Sequence, residues 1–392
     1  MREHWTYKTF GEVGSFLRGK SIQKADYVEK GMPCIHYGQV HTKFGISTDK
    51  HLSEISLELY NRSIIASPGD VIIAITSEDL DGSCKSTAWL GNYDVAVSAH
   101  AAVYKHNLNP KFIAYYLRSN SFYVEKKKYA RGFKVMEIKP TDIARIPLPI
   151  PPSDIQQDIV AELDKVNDMM ALKRKQLDDL NILAQSLFYE MFGDPVVNEK
   201  GWEVKKLGDI CTKISDGVHA KPIYTEKGIP FVSVININKG YLDLSACKYV
   251  SVDDGITMNK RTKPEKGDVL YTKVGATYGI PALVDTDTTF CLYVSVCLIK
   301  PNRDVIDSVF LKNLMALPYI KNQADDRIRG IGVPDLHLNQ IAAFTVPLPP
   351  LPIQQSFATK IAKIEAEKQR VKSSLKDLET LLASRMQYWF DN

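Results

Sequence analysis

At 392 residues, 44% hydrophobic and 24% charged, the chain has the composition of an ordered globular protein of two or three domains, which excludes a disordered one. A formal net charge of +4 is mild, so any nucleic-acid binding has to reside in local basic clusters. MREHWTYKTF holds no signal-peptide core, no apolar run nears the roughly 20 residues that span a bilayer, and six cysteines (Cys34, Cys84, Cys211, Cys247, Cys291, Cys297) form no C-x-x-C pair, so the expectation is a cytoplasmic protein with reduced, mostly buried thiols and no membrane partner, zinc site or disulfide framework.

In chain order, the first motif is GSFLRGKS at 14–21. It fits G-x-x-x-x-G-K-[ST], the phosphate-cradling loop of nucleotide hydrolases. That loop needs a buried strand running into Gly14, a helix opening at Ser21 and an acidic metal-binding residue ending a second strand. No run of four apolar residues precedes Gly14, nothing downstream resembles the acidic strand, and an ATPase is set aside. GDVIIAIT at 69–76 reads as a strand entered through a turn. It lies within about 150 residues of short apolar runs punctuated by Gly, Pro, Asn and Asp, the pattern of a mixed α/β domain. NPKFIAYYLRSN at 109–120 is a helix candidate, and KKK at 126–128 reads as a solvated helix face.

A proline cluster then stops regular structure, and a long helical pattern begins. Ile159, Leu163, Val166, Met170, Lys173, Leu177 and Leu180 step by 4 and 3, a heptad seam of the kind that packs helix on helix. Lys173 stands in that seam, where a polar residue either fixes register or snorkels to water. A helix of about 38 residues would run roughly 57 Å at 1.5 Å per residue, which makes it a spacer.

From Trp202 the chain repeats itself. RGFKVMEIKPTDIARIPLPIPPSDIQQ at 131–157 aligns without a gap on RGIGVPDLHLNQIAAFTVPLPPLPIQQ at 329–355, an offset of 198. The same offset sets PGDVIIA (68–74) on KGDVLYT (266–272), and an offset of 197 sets Trp5, Gly11, Glu29, Lys30, Gly31 and Pro33 on Trp202, Gly208, Glu226, Lys227, Gly228 and Pro230. DSVFLKNLMALP at 307–318 matches the helix candidate, and Phe357, Ile361, Ile364, Lys368, Val371, Leu375 and Leu378 form the second seam. Two modules joined head to tail, each ending in a helix that needs a partner, give an α+β expectation: tandem mixed domains held apart by two antiparallel helices with pseudo-two-fold symmetry. Such an object suits a ligand with its own two-fold axis, as duplex DNA has in its backbone.

The doubled IPLPIPPSDIQQ and VPLPPLPIQQ turns, the GWEVKKLGDI opening of the second copy, EKGIPFVSVINI, EKGDVLYTKVGATYGIPALV and the helix end LFYEMFGDP resemble the specificity subunit of type I restriction-modification systems. The likeness covers essentially the whole chain. It implies target recognition domains at 1–150 and 196–348 and spacer helix regions at 151–195 and 349–392. It further implies double-stranded DNA with a bipartite target as ligand, two methyltransferase subunits docked on the helices, and restriction subunits reached through the complex. Catalysis and its cofactors, S-adenosylmethionine and ATP, would belong to those partners, and this chain would be no enzyme.

The residues agree with that expectation. No [ND]-P-P-[YFW] loop is present to hold a flipped adenine; NPK at 109 and PPSD at 151 both fail the pattern. The acidic clusters SEDLD (77–81) and VDD (252–254) have no counterparts in the other copy and read as solvated loops. Bases are read chiefly by Arg, Lys, Asn and Gln in the major groove, and phosphates are held by Lys, Arg and backbone amides. Candidates lie in three matched loop pairs: RGKSIQK (18–24) with SDGVHAK (215–221), TSEDLDGSCK (76–85) with TKVGATYG (272–279), and KKKYARGFK (126–134) with DDRIRGIG (325–332). Arg131 and Arg329, aligned between copies, fit phosphate contacts. Lys20, Gln23 and Lys85 in the first copy and His219, Lys273 and Tyr278 in the second differ between copies and fit base readout. Lys24, Lys134, Lys221 and Arg327 complete the set. The rival reading is a two-lobed scaffolding adaptor that binds no DNA, which has no need of divergent basic loops at matched positions.

Overall fold

The computed structural model describes residues 4–132, 135–328 and 332–391. The chain divides into two compact units, one made of residues up to Arg174 together with those from Ser373 onward, the other of Lys175–Lys372. Each unit therefore joins one globular half to a stretch of each of two 40-residue helices, Ser153–Phe192 and Leu351–Phe390. Either helix is about 60 Å long at 1.5 Å per residue.

In the first unit, the fully buried strand Val71–Ala74 lies between Ala101–Lys105 and Ser86–Trp89, antiparallel to both. Ser15–Arg18 and Ser47–Thr48 form the edges of this five-stranded sheet. A second five-stranded sheet runs Tyr27–Val28, Ser53–Ile55, Met32–Ile35, Val95–Val97, Ile64–Ala66. The second unit repeats the plan with fewer strands. Val269–Thr272 sits between Val296–Pro301 and Pro281–Leu283, Cys211–Asp216 forms an edge, and Lys248–Val250, Ile229–Val232 and Cys291–Leu292 make the second sheet.

The repeated Gly-Asp-Val is a turn-and-brace. Gly69 (φ 93°) and Gly267 (φ 89°) take the left-handed conformation that glycine adopts without strain. The aspartate that follows then closes the turn and anchors a lysine from the neighbouring strand. Asp70 accepts from the Ser67 N–H and Lys105 Nζ, both at 2.7 Å; Asp268 accepts from the Glu265 N–H at 2.8 Å and Lys300 Nζ at 2.7 Å.

The Gln-Gln pairs tie each long helix to its globular half. Buried Gln156 accepts from the Asn109 N–H (3.0 Å) and donates to the Pro151 carbonyl (2.9 Å). Buried Gln354 does the same with the Asp307 N–H (2.8 Å) and the Pro349 carbonyl (2.7 Å). Asn109 and Asp307 are themselves the N-caps of the helices Pro110–Tyr116 and Ser308–Met315, within the two segments expected to be helical.

The long helices pack antiparallel. In the first unit Glu162 meets Arg385 and Trp389 while Arg174 meets Glu379, so numbers rise on one helix as they fall on the other. In the second unit Phe188 and Phe192 of the first helix lie 5.6 and 5.2 Å from Phe357 of the second, centroid to centroid. Ile159, Leu163, Val166, Met170, Phe357, Ile361, Ile364, Lys368 and Val371 are buried. Leu177, Leu180, Leu375 and Leu378 are only half-buried, since a two-helix seam leaves its flanks open to water. Lys368 pairs with Glu365 at 2.8 Å.

Two expectations are corrected. Lys126 is no solvated lysine: it is 3% exposed and donates to the Ser83 carbonyl at 2.6 Å. It stands one turn after buried Phe122 and shares that inward face. VDD is no loop either; Asp253 and Asp254 begin the helix Val252–Asn259, where carboxylates oppose the helix dipole. All six cysteines are free, and all but Cys211 are buried. No helix among the described residues is long and apolar enough to cross a membrane.

Candidate nucleic-acid interface

Backbone pairing fixes which positions correspond in the two units. Lys20 bridges Ser98 and Val218 bridges Tyr293. The Ile75 carbonyl accepts from the Ile138 N–H at 3.0 Å, and the Lys273 carbonyl from the Leu336 N–H at 2.9 Å. Glu137 pairs with Thr76 in one unit, and Asp335 bridges Val274 in the other. The first two loop regions chosen from the sequence and the segment that follows the third therefore converge at one place in each unit. There Arg18, Ile75 and Glu137 of the first unit occupy the positions of Asp216, Lys273 and Asp335 in the second.

The backbone is shared and the charges are not. In the first unit Arg18 donates to Glu137 at 2.9 Å, with its side chain half exposed. In the second, the buried Lys273 ammonium lies 3.2 Å from Asp335 and 3.7 Å from Asp216. The Lys273 ammonium, a base-readout candidate in the sequence, is thus buried between two carboxylates of the protein.

The other candidates are scattered around this convergence. Lys20, Gln23 and Lys24 are exposed, with the Gln23 N–H held by Asp26. Lys85 is half-buried and donates to the His41 carbonyl; burial, reinforced by the Arg118 charge, lowers its pKa. Arg131 has a 68% exposed side chain 3.9 Å from Asp142. His219 and Lys221 are exposed, and His219 Nε2 lies 3.5 Å from Asp216. Tyr278 donates to Asp325 and carries Lys321 Nζ 3.5 Å above its ring. Arg327 is occupied within the fold, donating to the Gln323 carbonyl at 2.6 Å and lying over the Phe344 ring. Lys134 and Arg329 lie outside the described residues.

Sequence reasoning missed two features here. In the first unit Tyr37 is ringed by His36, His100 and His41, with centroids at 4.5, 5.2 and 6.1 Å; burial, with His100 adding, lowers the His36 pKa. The signal was present, because CIHYGQVHTK aligns at an offset of 197 on FVSVININKG, which has no aromatic ring beyond its first residue. In the second unit Arg261 donates to Asp216 through NH2 at 2.6 Å and to the Asp216 carbonyl through Nε at 3.1 Å. No motif marked Arg261.

No three His, Cys, Asp or Glu among the described residues come together as a metal site. GSFLRGKS supplies no phosphate cradle: Ser15–Arg18 is an edge strand, and the helical turn beyond it, Lys24–Asp26, is three residues long. What remains is a pair of homologous surfaces with a common backbone and different polar groups.

A family model described as type I restriction modification DNA specificity domain matches residues 2–181 and again 199–378. The chain belongs to that family. It carries two target recognition domains of the type I specificity fold and has its role in DNA target specificity. Over 407 aligned residues it is 20% identical to the type I restriction enzyme MjaVIII specificity subunit of Methanocaldococcus jannaschii, with 97% of this chain and 92% of that one covered. Two solved structures share the fold. One is a chain from work on complex assembly and conformational transition of the type I R-M system (TM-score 0.59, 18% identity, 100% and 98% covered). The other is the type I restriction-modification S subunit of M. genitalium (TM-score 0.55, 13% identity, 98% and 95% covered).

Proposed function

We propose that each target recognition domain of this specificity chain reads one half of a bipartite DNA sequence. The two long helices set the gap between the halves and dock methyltransferase subunits. The observation that carries this reading is the substitution of charges on a fixed backbone: Arg18, Ile75 and Glu137 against Asp216, Lys273 and Asp335. Two copies kept alike in register and made unlike at one polar surface are suited to two different half-sites. The chain then acts as the non-catalytic, cofactor-free member of a cytoplasmic DNA adenine methyltransferase and restriction complex, with S-adenosylmethionine and ATP held by partner subunits. Selection from a random duplex library by the complex assembled with its methyltransferase subunits, at stated moderate salt, tests it. Enrichment of a split, adenine-containing motif is expected; enrichment of no bipartite motif would overturn the reading.

A further inference from the structure

Asp216 closes the edge strand Cys211–Asp216 with a side chain only 5% exposed, yet Arg261, which it binds, keeps a side chain 53% exposed. Arg261 touches Asp216 along one edge of its guanidinium: Nε on the carbonyl at 3.1 Å and NH2 on Oδ1 at 2.6 Å. A guanidinium is a rigid plane with five N–H donors. With the Nε side fixed, the NH1/NH2 edge is left directed away from Asp216. Its two parallel donors match the O6 and N7 acceptors of guanine in the major groove.

Two physical considerations favour a base over a phosphate. A carboxylate 2.6 Å from the guanidinium offsets the arginine's attraction for an anion but leaves its hydrogen-bonding edge intact for a neutral acceptor. The double tether also removes rotamer freedom before DNA arrives, which is what discrimination needs and charge neutralisation does not. Lys273 and His219, at 3.7 and 3.5 Å from the other carboxylate oxygen, hold Asp216 in place. The first unit has an arginine, Arg18, at the very position Asp216 occupies in the second, so this arrangement is particular to one half-site.

We infer that Arg261, positioned by buried Asp216, reads a guanine in the half-site recognised by the second target recognition domain. The inference rests on the bipartite DNA reading above. Its test is the same selection with the assembled complex, comparing wild type with Arg261→Ala and Arg261→Lys, each checked for an unchanged melting curve. Arg261→Ala should relax one G·C pair in one half-site, losing roughly ten- to hundredfold discrimination there, with the other half-site intact. Arg261→Lys, which keeps the charge and loses the fork, should fail to restore it. Asp216→Asn should weaken preference at that same base pair. A loss of affinity uniform across sequences, with the slope of affinity against salt reduced by about one, would make Arg261 a phosphate contact and overturn the inference while the bipartite reading stands. An unchanged motif, or relaxation at a base other than guanine, would overturn it equally. A wild-type complex that enriches nothing would remove the bipartite reading itself.

Discussion

Arg385, in the last turns of the second long helix, clasps Glu162 near the start of the first: Nε and Nη2 donate to the two carboxylate oxygens, the second at 3.0 Å, and Trp389 adds a third donor at 2.8 Å. The arginine hydrogen bonds, joined by that of Trp389, hold the Glu162 carboxyl below the usual carboxylate range. A carboxylate whose folded pKa is depressed contributes stability above its unfolded pKa and loses it as pH falls through the folded value. Glu162→Gln should therefore lower the melting temperature of the first unit at pH 7 by a few degrees. The gap to wild type should close as pH drops below about 4. Calorimetry across pH checks this, and a gap independent of pH would show that the clasp contributes through packing and not through charge.

Gln354 is fully buried and satisfies both the Asp307 N–H at the cap of one helix and the Pro349 carbonyl at the start of another. Gln354→Leu keeps the volume and orphans both groups, at a cost of about 1–3 kcal/mol for each group left unpaired. Gln355→Leu, next door and exposed, should cost little. Urea titration of the two variants measures the difference; equal midpoints would refute the role given to the first glutamine of each pair.

That glutamine illustrates how far the sequence reaches. The Gln-Gln pairs, the Gly-Asp-Val strands and the heptad seams were legible because local motifs and periodicity survive in both copies, and together they gave the tandem architecture and the paired helices. Burial of charge was not legible. Lys126 and Lys273 read as surface cations, yet one turns inward beside Phe122 and the other is drawn between Asp216 and Asp335. Their partners come from other loops, and no spacing rule announces a contact between segments so far apart in the chain. For the same reason Arg261 escaped notice. Its significance is conferred by Asp216, which in the sequence is only one acidic residue in a glycine-containing loop.

His106 provides a pH-dependent element of the first unit. Burial pushes its pKa down to about 4, against the opposing pull of the Asp70 charge, and its Nδ1 accepts the Leu108 N–H at 3.1 Å. The unfolded chain, titrating near 6.5, takes up the proton first, so stability is level above about pH 6.5 and declines as pH falls toward 4, by up to about 3 kcal/mol. His106→Asn can keep the acceptor for Leu108 and removes the titration. Its stability should fall less steeply than wild type between pH 6.5 and 4.5. Parallel slopes in chemical denaturation would mean that His106 does not titrate as its burial requires.

The last prediction concerns the helices as a ruler, the role proposed for them above. Arg174 and Glu379 approach to 3.8 Å across the pair, so removing residues 174–180 from one helix and 373–379 from the other takes a heptad from both sides of the same stretch of seam. A heptad preserves the seam's repeat and shortens each helix by about 10 Å at 1.5 Å per residue. Duplex DNA advances 3.4 Å per base pair, so the gap between half-sites should shrink by about three base pairs if binding survives. Three base pairs also turn the second half-site by more than a quarter of a helical turn, and the protein's own change of twist over a heptad is only about 20°. The complex must therefore absorb most of that rotation or release the DNA. Library selection with the shortened complex should return either a motif with the same two halves and a shorter gap, or none. Recovery of the original motif with its original gap would mean that something other than the helices measures the distance.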